Sequence, residues 1–222
     1  MIHYRAHHDV NSSHGQINRL VRELGRSPIL DVGSAQGMLG QSLVGSGLEI
    51  DAVEPNPAWA DAARPHYRAV HTGTIESVSL PLKHYAAVVC ADVLEHTADP
   101  VAVLKQLRTH ASDDAAFIIS LPNVAHLAVR LMLLFGMFPQ MERGILDKTH
   151  LHFFTRKTAI EMLRQAGLRV ERVSATGVPL EELWKSGRPG WAFAAARKLQ
   201  WTVVRLLPRL FGFQWIFLAR PL

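Results

Sequence analysis

Short apolar runs, each cut off by glycine or proline, alternate with stretches of helical period along this 222-residue chain, and that alternation leaves few architectures open. Runs that are apolar throughout are buried on both faces, as are the strands of a parallel sheet whose crossovers are helices. Strand-like runs fall at 29–32, 49–53, 67–71, 86–90, 116–121, 168–174 and 214–219, and 86–90 is apolar throughout. The third is the weakest, and Pro122 ends the fifth because proline cannot continue a ladder. Helical period predicts helices over 13–24, 38–44, 57–63, 100–110 and 156–166. Pro57 sits in a first-turn position, Thr155 is placed to cap the last of these helices, and Gly167 follows it where a left-handed cap is wanted. The apolar stretch 124–138, interrupted by His126 and Arg130, is too short to span a bilayer and is expected to cover the sheet as a helix. No internal repeat, low-complexity tract or linker divides the chain. One domain over 1–222 is expected, with residues 178–210 inserted as a helical segment before the last strand.

Apolar residues make up 48% of the chain and charged residues 19%, enough for a large core and too apolar for disorder. Cys90 is the only cysteine, which excludes an internal disulfide and a cysteine-based zinc site. Its place in an apolar strand makes it a buried small hydrophobe. The first ten residues are polar and rich in histidine where a secretory signal would be apolar, so a cytoplasmic chain is expected. His3, His7 and His8 read as a frayed terminus rather than a metal site. The net charge of +5 is local: seven bases and no acids follow Glu182, and the remainder is slightly acidic. Such a body is a poor binder of phosphate backbones, and no nucleic-acid partner is expected.

The densest chemical signal is Ile29-Leu30-Asp31-Val32-Gly33-Ser34-Ala35-Gln36-Gly37, a buried strand that runs through small residues into a helix. Glycines at a strand's carboxyl end let a ligand approach the backbone, and the helix start offers free N–H groups. The next strand ends at Glu54, whose carboxylate can accept hydrogen bonds from both hydroxyls of a ribose. A nucleoside-type ligand fits this pair of features. A dinucleotide fingerprint starting at Gly33 would need glycines at 35 and 38, where the chain has Ala35 and Met38. A nicotinamide-dependent oxidoreductase is therefore a weaker alternative, and a tight turn without a ligand is the bland one.

The D-x-G-x-x-x-G pattern from Asp31 to Gly37 resembles motif I of the class I S-adenosylmethionine-dependent methyltransferases. The resemblance continues through Val88-Val89-Cys90-Ala91-Asp92-Val93-Leu94-Glu95-His96, which is similar to that family's fourth-strand segment, and through Ser120-Leu121-Pro122-Asn123. Residues 144–155 are similar to a segment of small-molecule and sugar methyltransferases. The resemblance implies a Rossmann-like, seven-stranded, mainly parallel sheet with helices on both faces and an antiparallel last strand. It implies S-adenosyl-L-methionine as cofactor, held by Asp31, Gly33, Ser34, Ala35, Gly37, Glu54, Thr74, Ile75 and Asp92, with Asp31 facing the methionine ammonium directly or through water. Two positions depart from the family pattern: Ala35 replaces its middle glycine, and Thr74 stands where many relatives carry the acid that holds the adenine amine. The acceptor it suggests is a sugar, a glycan or another small hydroxylated molecule, and a methyltransferase-like subunit that binds without chemistry is the alternative.

Asp92, Glu95 and His96 follow the fourth strand at the sheet edge where ligands bind in open α/β folds. In the ubiquinone-type O-methyltransferases that this segment resembles, the corresponding acid, acid and histidine hold a divalent metal. Three residues from one turn are few ligands, so a metal-free site is expected, with His96 near the acceptor. His150 and His152 flank Leu151, and strand-like alternation would send both histidines to one face. His150 is the preferred second candidate for a general base. From Trp184 to Trp215 the chain interleaves tryptophan and phenylalanine with bases. The first expectation there is a helix packing an apolar stripe on the sheet edge; contact of residues 184–211 with the inner face of a membrane and self-association are the other two.

Overall fold

The computed structural model describes residues 12–180 and 190–222. His3, His7, His8, Trp184, Lys185 and Arg188 lie outside the described residues. Along the chain run α1 (Ser13–Leu24), β1 (Ile29–Val32), α2 (Met38–Leu43), β2 (Ile50–Glu54), α3 (Pro57–Ala63), β3 (Ala69–Thr72), β4 (Tyr85–Ala91), α4 (Pro100–His110) and β5 (Ala111–Pro122). They are followed by α5 (Leu127–Leu134), α6 (Arg156–Gln165), β6 (Leu168–Ala175), α7 (Trp191–Leu206), α8 (Pro208–Phe211) and β7 (Gln214–Pro221). Single 3-10 turns occupy Arg64–His66 and Leu94–His96.

The seven strands form one sheet in the order β3-β2-β1-β4-β5-β7-β6, parallel except for β7, which runs against both neighbours. From β1 the chain steps outward to β2 and β3, then returns to β4 on the other side of β1. That reversal opens a crevice beyond the carboxyl ends of β1 and β4. Ile29 to Val32 are all buried, because β1 is covered on both faces. Alternation along the strands sorts the core into two layers. Leu30, Val32, Val88, Cys90, Phe117 and Ile119 face Leu104 and Leu107 of α4 and Met162 and Leu163 of α6. Ile29, Ala52, Val89, Ala116 and Ile118 face Ile17, Leu20 and Val21 of α1, with Leu43, Ala63 and Tyr67.

β2 ends on Glu54 itself, so its carboxylate is aimed by the strand. The boundaries differ from the sequence pattern in two places that matter. β5 begins at Ala111, directly after α4, because Tyr85 pairs with Ala111 across a bulge that the apolar pattern does not signal. The expected covering helix over 124–138 is only the eight residues of α5, and Val129 is its one buried side chain. His126 caps its start by accepting from the Ala128 N–H, and Gly136 at φ +69° follows its end. Leu131, Leu133, Leu134, Phe135, Met137 and Phe138 are exposed, so this stretch does not cover the sheet. α7 likewise buries only Phe193 and Val204 and leaves Trp191, Leu199 and Leu206 in the open, so the expected apolar stripe is packed only in part.

Candidate functional site

The turn after β1 is shaped by backbone demands that side chains would violate. Gly33 has φ +69°, donates to the Val53 carbonyl at 2.8 Å, and a Cβ there would lie 2.6 Å from Cγ2 of Val93. Gly37 has φ +88°, and its missing Cβ would meet the Ala63 backbone at 3.0 Å and the Tyr67 ring at 3.2 Å. Ala35 also adopts a left-handed conformation, φ +47°. Alanine in place of glycine there carries about 1–2 kcal/mol of local strain, a cost held down by the bond from its N–H to Glu54.

Glu54 is 3% exposed and accepts from the N–H groups of Ala35 (2.8 Å) and Asn56 (2.9 Å). It therefore ties the β1 turn to the end of β2 and keeps its carboxylate at the crevice, with lone pairs left for hydroxyl donors. Asp31, also 3% exposed, accepts a 2.6 Å hydrogen bond from the Tyr67 hydroxyl, which in turn accepts from the Gly40 N–H at 3.1 Å. Burial raises the Asp31 carboxyl to about 7; the Tyr67 bond opposes that rise and Glu54 adds to it. Tyr67 and Gly40 escaped the sequence reading. Tyr67 lies in the lead-in to a weak strand, and a Cβ at Gly40 would strike the Tyr67 ring at 2.7 Å, a constraint no spacing rule reveals. Ser34 is 6% exposed, and its hydroxyl is buried at the same turn without a partner among the described residues.

Thr74 lies in the turn beyond β3; its N–H donates to Ser77 Oγ at 2.9 Å, and that hydroxyl donates back to the Thr74 carbonyl at 3.0 Å. Ile75 is buried and its carbonyl accepts from Gln106. Asp92 has φ +56°, and both its carboxylate oxygens are engaged: Ser120 Oγ donates to one at 2.7 Å and Gln214 Nε2 to the other at 2.8 Å. It thus pins β4 to the ends of β5 and β7.

The acids and histidines beyond β4 are brought together differently from the sequence expectation. Glu95 is fully buried, and both its carboxylate oxygens lack a partner among the described residues; burial, then the nearby Asp92, pushes its pKa well above the carboxylate range. Its backbone carbonyl receives the N–H groups of Leu151 and His152, which docks the 150–152 segment onto the turn holding His96. The rings of His96 and His150 meet edge-on with centroids 4.8 Å apart. His150 Nδ1 lies 3.1 Å from the Ile145 carbonyl, and a carbonyl only accepts, so the neutral ring carries its proton on Nδ1 and offers a lone pair at Nε2. His96 is fixed the same way: its Nδ1 is 3.2 Å from the Thr149 carbonyl and 3.2 Å from a hydroxyl that already donates to Asp147. Burial and then the proximity of His96 lower the His150 pKa, which keeps it neutral.

His152 does not share the face of His150. It points to the Ala98 carbonyl and stacks on Phe154, because residues 150–152 form no strand and alternation does not apply. The candidate metal set also changes. One ligand atom from each of Glu95, His96 and His150 lies within 4.8 Å of the others, whereas Asp92 is committed to Ser120 and Gln214. A buried carboxylate without a donor beside two imidazole lone pairs fits a divalent cation.

A methyltransferase-domain family model matches residues 7–173. The chain belongs to that family. It is 27% identical over 172 residues to a ubiquinone biosynthesis O-methyltransferase of Aeromonas salmonicida, covering 72% of this chain and 71% of that one. A protein of the same description from Xanthomonas euvesicatoria is 26% identical over 175 residues, 74% of this chain and 70% of its own. With the one from Acinetobacter baylyi the match is confined to 89 residues, 37% of that protein. Among solved structures, a SAM-dependent methyltransferase from Archaeoglobus fulgidus aligns over 93% of both chains with a TM-score of 0.62 at 19% identity. Magnesium protoporphyrin IX methyltransferase from Synechocystis, solved with bound SAH, aligns over 94% of this chain and 82% of its own with a TM-score of 0.63 at 15% identity. Fold and family make S-adenosylmethionine the cofactor of this methyltransferase, and the nicotinamide alternative falls. Among the described residues no helix is long and apolar enough to cross a membrane.

Proposed function

We propose that this methyltransferase transfers a methyl group to a hydroxyl of a small acceptor that reaches the crevice over the 131–153 segment. One observation carries the reading: two imidazoles with Nε2 lone pairs stand together beside the glycine bend, His96 on the turn that follows Val93, against which Gly33 packs, and His150 on the segment docked onto that turn. The acceptor's ring of contacts includes Phe153, whose ring is 6.1 Å from His150 and 5.2 Å from Phe138, and exposed Leu151. That apolar rim suits an acceptor with an apolar part better than a bare sugar. The names of the matched relatives also speak of ubiquinone biosynthesis, not of sugars.

Bound S-adenosylmethionine supplies an electrophilic methyl that already carries its leaving group. The chain's own task is then alignment and dryness. Glu54 is placed for the ribose hydroxyls, Asp31 for the ammonium, and the Ser34 hydroxyl for the adjoining polar groups of the amino-acid end. As the acceptor oxygen bonds to carbon, its proton passes to Nε2 of His150 or His96, each held in the accepting tautomer by its Nδ1 partner.

A second reading is favoured by the orphaned Glu95. Glu95, His96 and His150 would hold a divalent cation, which would lower the pKa of a nearby hydroxyl and replace the base. The test is transfer of a labelled methyl group from S-adenosylmethionine into a panel of phenolic and alcoholic acceptors, with and without a chelator. Label that appears equally in both supports the imidazole base, and label lost to the chelator and restored by a divalent ion supports the cation. A folded protein that binds S-adenosylhomocysteine yet labels nothing in the panel or in a cell extract would point to a non-catalytic subunit.

A further inference from the structure

The surface beside the crevice pairs exposed apolar side chains with few acids, Glu142 and Asp147 being those within residues 131–153. Residues 115–141 contain no aspartate or glutamate, and none follows Glu182. Leu131, Leu133, Leu134, Phe135, Met137, Phe138, Met141, Leu151 and Phe153 are all exposed, a concentration within 23 residues that monomeric soluble surfaces rarely show. Leu134 and Phe135 are 76% and 73% exposed.

The two acid-free segments meet in space. Pro122 pairs with Gln214, the Asn123 N–H donates to the Phe213 carbonyl, and its side-chain amide donates to the Gly212 carbonyl at 2.8 Å. Val129, Ile145 and Leu146 pack with Phe213 in a small cluster of their own, so α5 and the α7–α8 segment rise from the same carboxyl edge of the sheet. The bases on these elements, Arg130, Arg197, Lys198, Arg205 and Arg209, form no ion pair with a described acid. Several bases elsewhere are matched, among them Arg26 with Asp114, Arg68 with Asp51 and Arg164 with Glu161. Glu142, at the rim of the apolar patch, is neutralised by Lys148.

We infer that this edge docks on an anionic phospholipid bilayer, with the apolar side chains of 131–138 entering the headgroup region and the bases of α7 and α8 facing lipid phosphates. Apolar insertion and basic charge each add to such binding. A second copy of the chain is a poorer occupant, because it would bring the same unpaired bases against one another. Docking would set the His96–His150 pair at the bilayer surface, where an acceptor partitioned into lipid is within reach. The inference does not depend on the transfer reaction, since lipid binding is read without turnover.

The test is flotation of the full chain with vesicles of phosphatidylcholine alone and of phosphatidylcholine with roughly one-third phosphatidylglycerol. Binding to the anionic vesicles is expected to exceed binding to neutral ones by about tenfold or more, and to fall in ~0.5 M salt. The Leu134→Asp/Phe135→Asp pair and, separately, the Arg205→Glu/Arg209→Glu pair should each lower it by about tenfold while S-adenosylhomocysteine affinity stays at the parent value. The inference is overturned by a folded parent that ignores anionic vesicles, by equal binding to both vesicle types, or by variants that bind as the parent does. A chain that elutes as a dimer, is split by Leu134→Asp/Phe135→Asp and never floats would overturn it in favour of self-association.

Discussion

The two sides of the crevice are built to different standards of completeness. On the β1–β2 side, Asp31 and Glu54 are buried and each is held by named donors, and a Cβ at Gly33 or Gly37 would come within about 3 Å of a neighbour. On the β4–β5 side, Glu95 is buried with no donor among the described residues, two imidazoles keep open lone pairs, and apolar side chains stand in solvent. The first arrangement is preorganised for a ligand of fixed shape. The second leaves its polar and apolar demands unmet until something else arrives, as befits the side that meets the variable partner.

That contrast can be broken most directly at Gly33. Replacing it with valine forces a left-handed conformation on a branched residue and drives a Cβ into Val93, so we expect a loss of about 2–4 kcal/mol in stability and more than ~100-fold in S-adenosylhomocysteine affinity, read by denaturant melts and titration calorimetry. Parent-like affinity in a folded variant would remove the glycine turn from the site. On the other side, His150→Ala should lower kcat by about 100-fold with cofactor affinity changed less than about twofold. Equal losses in both would make His150 a structural prop.

Glu54→Ala sharpens the first side more gently. It frees two backbone donors and removes the ribose acceptor, and should weaken cofactor binding by about tenfold. The pH dependence follows from Asp31. Its folded pKa of about 7 lies above the ordinary 3.8, so between those values the native state holds a proton that the unfolded state has released. Stability of the free protein therefore falls as pH rises from about 4 to 7 and is level above that. An ammonium-bearing ligand favours the ionised form, so its affinity should climb as pH rises to about 7 and then flatten, and Asp31→Asn should abolish the slope in calorimetry across that range. The smallest effect is expected from Leu134→Ser, which should move the melting free energy by no more than about 0.5 kcal/mol because the side chain is already in solvent.

The same division governs what the sequence revealed. The sheet was readable because β1, β2 and β4 are buried on both faces and announce themselves as mainly apolar runs, interrupted only by Asp31 in β1 and by Asp51 and Glu54 in β2. The turn and Glu54 were readable because strand, glycines and acid follow one another at fixed spacing. What stayed hidden depends on residues far apart in the chain: Tyr67 meeting Asp31, Gln214 reaching Asp92, and His150 joining His96. The covering role expected of a helix over 124–138 failed for a related reason: α5 forms over part of it, but apolar content signals burial and does not reveal how little of this stretch is packed.

Val93 has a further consequence. Because a side chain at Gly33 would run into its methyl groups, the glycine bend after β1 and the turn that holds His96 share one piece of wall. A lineage that remodels the acceptor side by enlarging or shifting residue 93 would disturb its grip on the methyl donor at the same stroke. New acceptor preferences in such a chain are therefore easier to gain farther out, along the 131–153 rim.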